Sequence, residues 1–131
     1  MYYKNRHAYF LLQYHLVLIT KYKKPVLFGD VDSFIKNYAN KYFTNNNCNI
    51  LEIESNKNYI HILFEAPVTI QLTNMVNGFK TISSRMVRKR FSKILTNYYR
   101  QPYFWSRSYF ITTVGKNITK IVREYIKKQN N

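Results

Sequence analysis

Asn58-Tyr59-Ile60-His61-Ile62-Leu63-Phe64-Glu65 alternates residue by residue. Ile60, Ile62 and Phe64 fall on one side and Tyr59, His61, Leu63 and Glu65 on the other, the period of a strand with one side against a core. On such a strand Tyr59 and His61 are neighbours on one face, about 7 Å apart. A second stretch answers it: in Val122-Arg123-Glu124-Tyr125-Ile126-Lys127-Lys128-Gln129, Tyr125 and Gln129 lie one helical turn apart. A strand offering an imidazole and a helix offering a phenol and an amide hold the parts of a metal-assisted nucleophilic site.

Outward from that strand the pattern continues in both directions. Residues 1–8 are polar and aromatic and read as loosely held. From Tyr9 to Thr20, Phe10, Leu12, Tyr14, Leu16 and Leu18 alternate with Gln13, His15, Val17 and Ile19, which predicts a long central strand. Lys21-Tyr22-Lys23-Lys24-Pro25 makes a basic connection closed by the turn signal Gly29-Asp30. Phe34, Ile35, Tyr38, Ala39, Tyr42 and Phe43 recur at helical spacing, with Asp30 or Asp32 as N-cap and Asn45-Asn46-Asn47 as the stop. Cys48 to Glu54 reads as a strand that turns through Ser55–Asn58 into the quoted one, which Pro67 ends.

From Ile70 to about Phe91 the positions Leu72, Met75, Val76, Phe79, Ile82, Met86 and Val87 form one helical stripe. Tyr103 to Val114 alternates through Trp105, Arg107, Tyr109 and Ile111, predicting a fourth strand that Gly115 breaks. Asn117 would cap a last helix with the stripe Ile118, Ile121, Val122, Tyr125 and Ile126. The order is β-α-β-β-α-β and one more helix. It predicts an α+β fold: a ferredoxin-like (RRM-like) antiparallel four-stranded sheet with helices on one face plus a C-terminal helix, in one domain spanning residues 1–131.

The 131 residues include 21 Lys and Arg against six acids, a formal charge of +15. Such an imbalance repels itself and calls for a polyanionic partner. No acid stands between Glu65 and Glu124, so i,i+4 pairing cannot explain Lys80, Arg85, Arg88 and Lys89, with Arg90 and Lys93 behind them. These four cations read as a phosphate-tracking surface, and 13 Tyr and nine Phe supply flat rings on which unstacked bases can lie. The single Cys48 excludes an internal disulfide and a thiolate zinc site, which fits a cytoplasmic protein. No apolar run approaches the roughly 18 residues of a membrane span, and no charged segment precedes an apolar one at the start. Six acids also supply a carboxylate-based two-metal nuclease poorly.

Joint order and spacing carry a resemblance over nearly the whole chain. Tyr14-His15-Leu16-Val17 with Thr20-Lys21-Tyr22-Lys23-Lys24-Pro25-Val26-Leu27, residues 58–65, Phe79-Lys80-Thr81-Ile82-Ser83-Ser84-Arg85, Trp105-Ser106-Arg107-Ser108-Tyr109-Phe110 and Tyr125-Ile126-Lys127-Lys128-Gln129 together resemble the single-tyrosine transposases of small single-strand-transposing insertion sequences, members of the HUH nuclease superfamily. The resemblance implies a homodimer with active sites shared between subunits, which cuts and rejoins single-stranded DNA at hairpins marking an element's ends. It implies Tyr125 as the nucleophile of a 5′-phosphotyrosine intermediate. It further implies a divalent ion, Mg²⁺ or Mn²⁺, on His61 and Gln129 and on the position that Tyr59 occupies.

That position is where the chain departs from the family, which has a histidine in place of Tyr59. A neutral phenol is a far poorer ligand than imidazole at pH 7. Glu65 is four strand positions from His61, about 13 Å away, and the sequence alone does not fix how near His15 comes. Three outcomes stay open: weak metal binding, Tyr59 as an oxygen ligand, or a dead site. The alternative function is accordingly a non-cutting nucleic-acid hairpin-binding module derived from such a transposase. A ribosomal or other structural RNA-binding protein ranks last, because it explains the charge and the sheet but not the pairing of Tyr125 with Gln129.

Overall fold

Five consecutive residues of the first strand, Leu16–Thr20, are buried, although side chains on a strand alternate between two faces. A strand buried on both faces needs cover on both, and the computed structural model, which describes residues 11–114 and 118–129, supplies it. The elements are β1 (Leu11–Thr20), α1 (Gly29–Asn45), β2 (Asn49–Asn56), β3 (Tyr59–Pro67), α2 (Leu72–Arg90), the short α3 (Ser92–Leu95), β4 (Trp105–Thr113) and α4 (Ile118–Lys128). The strands form one antiparallel sheet in the order β2-β3-β1-β4. This is the expected ferredoxin-like arrangement, with β1 and β3 as the two inner strands.

One face carries the main core. Leu16 and Leu18 of β1 and Ile60, Ile62, Phe64 and Ala66 of β3 meet Val31, Ile35, Ala39 and Phe43 of α1 and Met75, Val76, Phe79 and Val87 of α2. Phe43, Phe64 and Phe79 are at the centre, with ring centroids 4.9 Å (Phe43–Phe64) and 5.7 Å (Phe43–Phe79) apart and the planes steeply inclined. The other face holds a second, smaller cluster, in which Val17 and Ile19 of β1 are covered by Val122 of α4, with Tyr59, Phe110, Tyr125 and Ile126 around it. α4 therefore packs across the sheet face that α1 and α2 leave open, and the Tyr59–His61 side of β3 looks toward it.

Several local readings need correction. α1 begins at Gly29, whose φ of +54° suits glycine, so Asp30 and Asp32 lie inside its first turn and neither caps it through a side chain. There Asp32 accepts a hydrogen bond from Ser55 Oγ at 2.6 Å and pairs with Lys36 at 3.0 Å. α1 does end at the asparagines: Asn46 follows its last residue, and Asn47 takes φ +63°. Ile82 is exposed, and Ser83, one turn from both Phe79 and Val87, takes the core-facing place instead. β2 runs on to Asn56 and β3 to Pro67. The expected loose residues 1–8, the start of β1 at Tyr9 and Phe10, the break at Gly115, the cap at Asn117 and the place of Ile118 in its helix's stripe lie outside what is described.

Ser83 survives in the core because it is bonded. Trp105 Nε1 donates to Ser83 Oγ at 2.9 Å, tying α2 to the first residue of β4, and both side chains are buried. Ser83→Ala would leave the indole N–H unpaired away from water, a cost of about 1–3 kcal/mol. Thermal or urea unfolding of Ser83→Ala should show that loss, whereas Ser84→Ala beside it gives up only a partly exposed contact with Arg88 and should cost less.

Candidate functional site

The β2–β3 hairpin turns at Lys57-Asn58, so Asn56 pairs with Tyr59 and Glu54 stands opposite His61. On the other side His61 faces Val17 of β1, and His15 lies one same-face step farther along β1, opposite Leu63. These registers bring three polar side chains together on the α4 side of the sheet. His15 Nδ1 and His61 Nε2 are 2.8 Å apart, and His61 Nδ1 lies 3.3 Å from Glu54 Oε1. A carboxylate only accepts, so His61 carries a proton on Nδ1 toward Glu54, and in the neutral form of that ring the bare Nε2 accepts from His15 Nδ1–H. Burial, with the nearby His61 second and against a smaller opposing pull from Glu52, holds the His15 pKa below its usual 6.5, which keeps that ring neutral at pH 7.

Beside the histidines is a cavity of about 250 Å³ lined by His15, Glu54, Tyr59, His61, Val122, Arg123 and Ile126. Its helical wall follows from α-helical geometry. At about 100° per residue, Val122 and Ile126 point down at the sheet, Arg123 leans to one flank, and Tyr125 and Gln129 lean to the other. The cavity lies on the Arg123 flank, toward β3. On the opposite flank Tyr125 and Gln129 meet β4: the Tyr125 ring rests on Phe110 with centroids 5.1 Å apart, and its hydroxyl is 3.4 Å from Ser108 Oγ. Gln129 Nε2 donates to Ser108 Oγ at 2.8 Å and to Ser106 Oγ at 3.3 Å. Lys23 Nζ donates to the Lys127 carbonyl at 3.3 Å, a cation at a helix C-terminus.

The residues singled out in the sequence thus fall into two groups on one sheet face. His61 and Tyr59 share the cavity, with His15 and Glu54 as partners. Tyr125 and Gln129 share the serine pair on β4 and do not line the cavity. The sequence reading did not single out Glu54, Ser106 and Ser108. Glu54 was within reach of it, because a two-residue turn at Lys57-Asn58 fixes the pairing with His61 by counting alone.

The four basic residues also divide. Lys80 is half-buried: its Nζ donates to the Arg107 carbonyl at 2.7 Å and lies 5.4 Å from the centre of the Tyr109 ring, and burial lowers its pKa. Lys80 is therefore bound into β4 and is not a free surface cation. Arg88, whose Nε donates to Ser84 Oγ at 3.2 Å, borders two neighbouring hollows. One is lined by Lys80, Ser84, Tyr103, Ser106 and Arg107 among others, and the second by Tyr99, Arg100 and Tyr103. Arg85 and Lys89 are exposed one turn apart on the outer side of α2. The result is a basic, ring-lined groove that reaches Ser106, one of the serines holding Gln129.

With this geometry in place, the comparison with protein families is decisive: the family model described as "Transposase IS200 like" matches residues 8–129. The chain belongs to that family. It is 32% identical over 123 residues to the transposase for insertion sequence element IS200 of Salmonella typhimurium, covering 94% of this chain and 80% of the relative. It is 25% identical over 127 residues to the ISDra2 transposase TnpA of Deinococcus radiodurans, covering 97% and 90%. A crystal structure of a Deinococcus radiodurans R1 protein assigned as a transposase superposes with a TM-score of 0.88 at 26% identity, over 98% of both chains. The REP-associated tyrosine transposase, solved bound to a REP hairpin, shares the fold with a TM-score of 0.61 at 8% identity, over 95% of this chain and 68% of that one. No helix among the described residues of this IS200-like family member is long and apolar enough to cross a membrane.

The family generally uses a divalent metal ion. Among the described residues, no group of three His, Cys, Asp or Glu side chains is placed to hold one. The chemistry of the histidine pair nevertheless suits a cation: two imidazoles with nitrogens in contact, one of them backed by a carboxylate.

Proposed function

We propose that the protein binds hairpin-bearing single-stranded DNA at the ends of an insertion element and cleaves and rejoins it through a 5′-phosphotyrosine intermediate at Tyr125. The observation that carries this reading is the position of α4, laid across the same sheet face that presents His15, Tyr59 and His61. Tyr125 and Gln129 extend from one flank of that helix toward two serine hydroxyls and the basic groove beyond them. The Tyr125 oxygen would attack the scissile phosphorus, forming the phosphotyrosine ester as the bond to the 3′-oxygen breaks. The freed 3′-hydroxyl then serves as the nucleophile that reverses or transfers the join.

A phenol of pKa near 10 is a weak nucleophile at neutral pH. A bound Mg²⁺ or Mn²⁺ would neutralise phosphate charge and favour the phenolate. His61 is its proposed first ligand, with Tyr59 and Gln129 as the further candidates. Arg85, Arg88 and Lys89 would track the hairpin phosphates, while Lys80 holds β4 against α2 at the groove edge. The proposed working unit is a homodimer in which each α4 serves the other subunit's histidines, since Tyr125 and the cavity lie on opposite flanks of the helix.

The test is a metal-dependent covalent protein–DNA adduct, resolved on denaturing gels with single strands carrying imperfect hairpins. Hairpin binding without any adduct in Mg²⁺ or Mn²⁺ would leave the non-cutting module as the function. Binding itself should be strongly salt-dependent, because each neutralised phosphate releases counterions. Arg88→Ala and Lys89→Ala should each lower the slope of log K against log salt by about one. A slope near zero in the wild type would rule out this surface.

A further inference from the structure

Tyr59 leaves the strand with one imidazole where a metal site of this kind wants two. We propose that His15, from the neighbouring strand, is the second imidazole, so that His15 and His61 form a cross-strand site for a divalent cation of the Mn²⁺ or Co²⁺ type. The proposal rests on the reading above that a metal ion acts on this face of the sheet, and it names the residue that completes the site.

The argument starts from the contact between the rings. Their centroids are 5.0 Å apart with planes inclined by 23°, and the facing nitrogens are 2.8 Å apart. The centroid separation is the N···N distance plus one ring radius on each side, so the rings meet edge to edge with their lone-pair directions opposed. In that state one proton occupies the space between them. A proton and a metal ion compete for the same nitrogen lone pairs. Two imidazoles on one ion at about 2.0–2.1 Å, at angles near 90–109°, place their nitrogens about 2.8–3.4 Å apart. The observed separation is already close to that, and what must change is a turn of each ring about its soft Cβ–Cγ bond. The cavity of about 250 Å³ that both rings line gives them room for it.

The surroundings favour these two nitrogens over the phenol. Glu54 accepts from His61 Nδ1 and so holds the tautomer that bares Nε2, the carboxylate–histidine arrangement that orients metal ligands. His15 Nδ1, which faces His61 Nε2 at 2.8 Å, ligates once its proton moves to Nε2, the tautomer that a cation on Nδ1 selects. Tyr59 packs against the apolar cluster of Val17, Ile19 and Val122. A phenol is a poor donor to a divalent ion compared with imidazole. No third His, Cys, Asp or Glu among the described residues joins the pair to make a site. The ion therefore keeps positions open for oxygen ligands, and it exchanges readily. Two nitrogen ligands also set an order: affinity rises along the first-row series from Mn²⁺ to Co²⁺, and Mg²⁺, which takes oxygen ligands and gives up its waters reluctantly, binds least.

Mn²⁺ binding to the DNA-free protein, followed by the electron paramagnetic resonance signal of free Mn²⁺, tests this without reference to activity. His15→Gln and His61→Gln should each weaken binding by at least the roughly 10–100-fold that loss of an orienting partner costs a metal site. Tyr59→Phe removes the competing oxygen candidate and should cost far less than either histidine change, and Mg²⁺ should compete poorly. Near-UV circular dichroism checks that each variant is folded. Tyr59→His placed on His15→Gln should recover the affinity, because two imidazoles at i and i+2 on a strand face the same way, and this recovery separates a ligand from a packing residue. Unchanged binding in His15→Gln, a loss in Tyr59→Phe as large as in either histidine change, or no Mn²⁺ binding by the wild type overturns the proposal. Mn²⁺ held through His15 and His61 in a protein that forms no DNA adduct supports the pair and removes only the cutting reaction.

Discussion

Tyr125→Phe protein, mixed with hairpin-bearing single-stranded DNA and Mn²⁺, should form no covalent adduct while binding the same hairpin within about twofold of wild type. The substitution removes one oxygen. The ring keeps its place on Phe110, 5.1 Å between centroids, and the half-buried side chain still contributes to the cluster of Val17, Ile19 and Val122. The lost hydroxyl contact to Ser108 Oγ is long, at 3.4 Å, and its removal costs at most about 1 kcal/mol of stability. The chemical loss is far larger. Without the attacking oxygen no phosphotyrosine ester can form, and removal of a nucleophile typically drops turnover by about 10⁴-fold or more, to background. A Ser108→Ala control leaves the phenol and removes the same contact, together with the Gln129 Nε2–Ser108 Oγ bond, so an adduct formed by this variant shows that the contact itself is dispensable. Adduct formation by Tyr125→Phe would assign the nucleophile to another residue. The same variant failing to bind hairpins would mean that Tyr125 is a packing residue of α4.

The fold was legible where local pattern and burial agree. The alternation in residues 58–65 matches β3, where Ile60, Ile62 and Phe64 are buried and the alternate residues half-buried. The element order fixed a sheet in which β3 and β1 are the inner strands. The sequence reading made β1 a central strand but did not say that its second face is covered, and α4 is that cover. Periodicity failed at Ser83, because a stripe counted in apolar residues cannot detect a serine whose partner, the Trp105 indole, arrives from a strand 22 residues away. It also missed α3, whose four residues are too few to show a helical period. The candidate site was half legible. Tyr125 and Gln129 follow from i,i+4 spacing within one element, and Tyr59 and His61 from i,i+2 spacing within another. The contact of His15 with His61 depends on how β1 and β3 register across 46 residues of chain, which no local pattern encodes.

Equal amounts of Tyr125→Phe and His61→Ala protein, each inactive alone, should recover adduct formation when mixed under conditions that let subunits exchange. The reason lies in the geometry of α4. Val122 and Ile126 press on the sheet, and the helix holds Arg123 toward the His15–His61 cavity and Tyr125 toward β4, so the phenol and the imidazoles lie on opposite flanks of one helix. A side chain cannot cross beneath its own helix through the buried Val122 contact. A helix from a second copy can approach from another direction, and a closed twofold dimer repeats that exchange symmetrically. In a mixed dimer with sites assembled between subunits, one site combines the intact Tyr125 of the His61→Ala chain with the intact His61 of the Tyr125→Phe chain. The other site lacks both. Random exchange makes half the dimers mixed, and one of the two sites in each is whole, so recovery should approach about a quarter of wild type. A site built within a single chain gives the opposite result: every site in the mixture lacks either the phenol or the imidazole, and no adduct forms at any ratio. Adding wild-type subunits as a positive control shows that exchange has occurred, so a silent mixture then means that α4 swings over its own sheet to reach the histidines.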